Sequence, residues 1–110
     1  MSDKGLADEP RPIAELVDYQ EGSVVSRPIM KKEAGKVIVF AFDRGESLSE
    51  HSVPFDAIVH LLDGEAVITV GGKPHTLKQG DVILMPGNVP HAVQAQTRFK
   101  MLLIMLRCPA

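Results

Sequence analysis

Apolar and polar positions alternate in short runs along most of this chain, and nearly every run ends on glycine, proline, asparagine or aspartate. Such punctuation separates β-strands. Residues 23–30 are β-branched and apolar but broken by Pro28, which suits an edge strand because proline cannot donate to a ladder. Residues 31–35 form a polar turn. Residues 36–43 (KVIVFAFD) and 99–106 (FKMLLIML) are apolar on both faces, so both faces need cover. Residues 48–53 and 57–62 read as two strands parted by a bend at Pro54, and Asp63-Gly64 then carries a hairpin signal before the alternating run 65–70. Gly71-Gly72, Gln79-Gly80-Asp81 and Pro86-Gly87-Asn88 mark further turns, with strands at 73–77, 82–85 and 91–95. Residues 1–12 are polar, carry Gly5, Pro10 and Pro12, and read as a frayed tail. Residues 13–19 fit either a short helical turn or an edge strand.

Turns at this spacing without a long helical period predict an all-β sandwich or barrel in one domain. Residues 1–22 are expected to form an N-terminal tail or short arm, 23–106 the barrel, and 107–110 a C-terminal tail. The two strands apolar on both faces make a further demand. One face of each can fill a barrel, and the other is a wide exposed patch unless something covers it. A homodimer built on these strands is the expected cover, the alternative being the N-terminal segment folded over that face.

Composition narrows the function classes. The chain has 110 residues, 45% hydrophobic and 24% charged, as in ordinary globular domains. A net charge of −2 with no basic run argues against nucleic-acid partners, which need a positive footprint, and against a basic membrane-surface helix. The longest apolar run, 101–106, is too short to span a bilayer, and the start Met-Ser-Asp-Lys-Gly has no apolar signal core. Cys108 is the only cysteine, so no internal disulfide forms and a reducing cytoplasm is the expected location. At the chain's end it is expected to be a bystander rather than a nucleophile.

Candidate chemistry rests on the histidines at 51, 60, 75 and 91. Strand side chains alternate faces, so His51 shares a side with Val53, Ala57 with Val59 and Leu61, and His91 with Val93 and Ala95. Each histidine lies near a turn, where a barrel mouth would be.

Around these residues the sequence resembles the cupin family. Its first motif runs Gly, five residues, His, one residue, His, three or four residues, Glu, six residues, Gly, and Gly45, His51 and Gly64 fall in place. Its second runs Gly, five residues, Pro, one residue, Gly, two residues, His, three residues, Asn, and Gly80, Pro86 and His91 match. Asn88 replaces a glycine, which is tolerable because asparagine also accepts left-handed backbone angles. Val53, Ala57 and Ala95 stand where the second His, the Glu and the Asn are expected. The resemblance covers residues 23–106 and implies an antiparallel jelly-roll β-barrel, the double-stranded β-helix.

In metal-binding cupins three histidines and a glutamate hold iron, manganese, nickel or zinc. Only His51 and His91 occupy those positions here, one short of the three protein ligands a catalytic centre needs. Glu50, Asp56 and His60 have the wrong parity to replace them, and His75, in phase with Leu77, lies on another strand. The metal reading that remains is a weak two-histidine site completed by water. The three replacements also remove polar bulk, leaving a roomier apolar pocket lined by His51, Val53, Ala57, His91, Val93 and Ala95, the usual make-up of a small-molecule site. Phe55, Phe99 or Met101 would be the residues to fill it instead. Paired imidazoles in a partly dry pocket repel one another, so at least one is expected neutral at pH 7.

The function expected is binding of a small organic ligand in the barrel interior. A metal-dependent dioxygenase or isomerase is the alternative. Metal-free acid–base epimerisation is a weaker one, since no carboxylate orients either ring and Tyr19 is the only tyrosine. A purely structural role would show as a closed barrel.

Overall fold

The computed structural model describes residues 5–108, so the first four residues of the expected N-terminal tail and the last two of the C-terminal tail lie outside it. The chain is an all-β, antiparallel jelly-roll barrel. Its strands are β1 (Val24–Lys32), β2 (Gly35–Phe42), β3 (Ser47–His51), β4 (Phe55–Val70), β5 (Lys73–Lys78), β6 (Val82–Met85), β7 (His91–Gln94) and β8 (Phe99–Arg107). The β1–β2–β8 ladder continues onto the first half of β4, which also pairs with β6. The second half of β4 pairs with β5 and with β7, which carries β3.

β4 corrects one expectation. Asp63-Gly64 is no hairpin, and the runs 57–62 and 65–70 are one strand. A two-residue type I′ reversal needs positive φ at both central residues. Only Gly64 has it, at 75°, and the register against β8 slips between Leu61 and Asp63. The result is a glycine bulge that turns the strand from one sheet into the other. A Cβ on Gly64 would collide with the Arg98 carbonyl oxygen, so the close approach of the backbone before β8 also requires glycine.

Side chains from both sheets meet in one core. Phe42, Val59, Leu61, Ile68 and Phe99 are wholly buried, and the Phe42 and Phe99 rings stack 4.5 Å apart at 12°. At about 25 cal/mol per Å², such burial is the main force holding the sheets together.

The outer face of the β1–β2–β8 sheet has its own cover over part of its width. A 3₁₀ turn at Ile13–Glu15 leads into Leu16 and Val17, which are buried against Val39 and Ala41. Lys100 Nζ donates to the Ala14 carbonyl at 2.6 Å, Arg27 Nη1 to that of Leu16 at 3.3 Å, and the Tyr19 hydroxyl to Asp63 at 2.6 Å. Arg98 and Lys100 sit over the Tyr19 ring, 4.9 and 5.0 Å from its centre. Burial and the Asp63 hydrogen bond push the Tyr19 hydroxyl well above its usual range. The chain itself thus meets part of the demand made by the doubly apolar strands. At the other end, Arg107 belongs to β8 and the Cys108 N–H donates to Pro54 O at 3.0 Å, so this stretch is held rather than loose.

Candidate functional site

His51 and His91 are direct cross-strand partners on β3 and β7. Their ring centres lie 4.5 Å apart with the planes at 62°. Strand parity alone does not produce this. Leu48 opposes Val93 while His51 opposes His91, so β3 spends three steps where β7 spends two. That bulge lets Leu48 and His51, of opposite parity, both border the cavity, with His51 exposed at its rim.

Each ring is steered by its own backbone. His51 Nδ1 lies 2.9 Å from Ser49 O, and His91 Nδ1 lies 3.3 Å from Val89 O. A carbonyl only accepts, so Nδ1 carries the proton in both rings and Nε2 is the atom free for a ligand. His91 is 7% exposed, and burial, with the nearby His51 as a further cause, holds its pKa below 6.5 against the opposing Val89 hydrogen bond. It is therefore neutral at pH 7, as expected for at least one of the pair.

The rings border a cavity of about 190 Å³ inside the barrel. Val53, Ala57 and Val93 line it. Ala95 does not: it follows the last residue of β7 and is buried in the same core as the Phe42–Phe99 stack. Phe55 lies beside Arg107 rather than in the cavity, and Phe99 fills the core beneath it. The wall from β2 and β8 was not anticipated: Lys36, Ile38 and Phe40 face Met101, Leu103 and Met105 across one ladder, all on the cavity. The alternation in KVIVFAFD held that signal, since Lys36, Ile38, Phe40 and the core residue Phe42 share one parity.

The other candidates fall elsewhere. Glu50 is exposed, and Asp56 spends its carboxylate on the Gly87 N–H at 2.8 Å. His60 sits on the outer face between Leu102 and Val82. His75 is on the core side with Leu77 but outside the cavity. Asn88 has φ 64°, the left-handed conformation its place in the turn calls for, and its N–H donates to Val53 O at 2.8 Å. This bond ties the β6–β7 turn to the cavity rim.

These residues do not fit a catalytic metal centre. Among the described residues no group of three or more His, Cys, Asp or Glu side chains could hold an ion. Val53 and Ala57, at the two positions where further ligands would stand, present only carbon to the cavity.

The Cupin domain family model matches residues 38–106, and the chain belongs to this family. A conserved protein of unknown function from Streptococcus pyogenes superposes with a TM-score of 0.88 at 30% identity, over 93% of this chain and 90% of that one. A cupin superfamily protein from Desulfitobacterium hafniense gives 0.86 at 35% identity, over 91% and 92%. A cupin 2 conserved barrel domain protein from Leptotrichia buccalis is 44% identical with a TM-score of 0.83; the match covers 86% of this chain and 46% of that one. No curated protein matches the chain. No helix among the described residues is long and apolar enough to cross a membrane.

Proposed function

We propose that this cupin binds a small organic molecule in its barrel interior, with the Nε2 atoms of His51 and His91 as polar contacts at the rim. The observation that carries the reading is the cavity itself: about 190 Å³ of space walled by aliphatic, aromatic and methionine side chains, with two imidazoles pre-oriented by backbone carbonyls. Ligand pockets are mostly apolar with a few placed polar groups, and drug-sized ones begin near roughly 300 Å³, so the occupant is smaller than that. A neutral His91 accepts a hydrogen bond from a ligand hydroxyl or amide.

The same reading includes a second copy of the chain as partner. Met30, Val37, Ile104, Ile58 and Leu84 are successive cross-strand neighbours, an apolar row over five strands on the outer face beyond the N-terminal arm. Met30, Leu84 and Leu106 are 53%, 58% and 57% exposed, and an apolar face of this kind favours a partner surface.

The pocket is tested with ¹³C-methyl-methionine protein, because Met85, Met101 and Met105 all line it. Xenon, which enters dry apolar cavities, is expected to shift these three methyls and to leave Met30, on the outer face, unmoved. The reading fails if xenon moves none of them.

A further inference from the structure

One cavity residue has no partner that explains it. Lys36 opens the inward-facing series of β2, and its side chain reaches the cavity wall made by the β2–β8 ladder, whereas the imidazoles stand on the β3–β7 ladder. Among the described residues that line the cavity, it alone carries a fixed charge. Its cross-strand partner on β1 is Lys31, so two ammonium-bearing chains leave the same face side by side. Like charges directly opposite on an antiparallel ladder are destabilising. Their inward neighbours along the row are Met105, Ala57 and Met85, none of which can compensate. Glu33, in the turn joining β1 to β2, makes no ion pair with either. Among the described residues no carboxylate oxygen lies within 4.0 Å of either ammonium, and neither ammonium has a hydrogen-bond partner.

We propose that the ligand of this cavity is a small organic acid bound as its anion, its charged group at Lys36 and its carbon body against Phe40, Met101 and Leu103. The proposal rests on the pocket reading above and adds the ligand's chemical class. A ligand anion supplies the counter-charge that the chain itself withholds. The apolar walls favour a carbon skeleton over a free inorganic ion, and the cavity's size keeps that skeleton below drug size. Lys31 reinforces the field at the rim without lining the cavity. The neutral His91 accepts a hydrogen bond from a donor elsewhere on the ligand rather than adding a second positive charge.

The experiment compares butyrate, hexanoate and benzoate with their primary amides, which match them in shape and lack the charge. Affinities are read on the Met85, Met101 and Met105 methyls of the full chain, with xenon as a control for the cavity. At least one acid is expected to bind about tenfold or more tightly than its amide, the scale of a charge-assisted hydrogen bond. Lys36→Gln is expected to remove that gap while leaving the xenon shift intact, and Lys31→Gln to reduce it in part. Amides binding as well as acids, Lys36→Gln keeping the preference, or xenon entering while no acid binds would each overturn the proposal and leave the pocket standing. If xenon also fails to enter, the pocket reading falls and the proposal falls with it.

Discussion

Replacing Ala57 with leucine gives a result whose sign depends on whether the cavity is real space. Ala57 is 2% exposed, lines the cavity, and has Met85 and Met105 as its cross-strand partners. Leucine adds three carbons. At about 0.8 kcal/mol per buried CH₂ they contribute about 2.4 kcal/mol. Fixing the leucine rotamer costs about 0.5–1 kcal/mol, which leaves a net gain of about 1.5 kcal/mol. For a domain of this size that corresponds to a rise in Tm of roughly 6–12 °C. The assay is urea unfolding at fixed protein concentration, where the midpoint rises and the slope stays constant. The same variant loses the xenon and acid signals, because the added carbons occupy the ligand's space. In a filled barrel the same leucine would overpack the core and cost about 1–3 kcal/mol. A lowered midpoint would therefore refute the cavity and everything built on it.

Three further outcomes are expected. Because the folded chain holds His91 below its ordinary pKa of 6.5, the unfolded chain binds more protons as the pH drops past that value. Stability, read as urea midpoints from pH 8 to 5, falls through this window, and His91→Gln flattens the fall. Val53→His combined with Ala57→Glu places four donors around one space, and this variant is expected to retain about one equivalent of zinc through gel filtration where the native chain does not; elemental analysis decides, and a native chain that retains the metal equally would show the two imidazoles to suffice. Ile58→Lys, within the outer apolar row, is expected to convert a dimer to monomer in sedimentation velocity, and an unchanged dimer would move the interface elsewhere.

Strand positions were legible because turn chemistry is local. Gly71-Gly72, Gln79-Gly80-Asp81 and Pro86-Gly87-Asn88 all fall between strands, and residues 82–85 form β6 with the expected bounds. Asp63-Gly64 misled because a glycine with positive φ serves a bulge as well as a hairpin, and which one forms is decided by the strands pairing across it. At the site, parity put His91, Val93 and Ala57 on the inside. It could not say that Ala95 lies outside the cavity, since that depends on where the stacked Phe42 and Phe99 rings fill the barrel. Leu48 was illegible for a different reason: the bulge before His51 reverses the count. Lys36 was legible as the first residue of its strand but not as a cavity residue, since that depends on where β8 lies across from it.

The sharing of β4 between both sheets bears on how the molecule opens and closes. Four other strands pair with this one segment, so neither sheet can fray inward without loosening the other. Amide exchange at the cavity wall is then governed by cooperative unfolding of the whole barrel rather than by a separate small opening. Assembly must also bring β8 onto β4 from far along the chain, which makes folding slow relative to helical proteins of similar length.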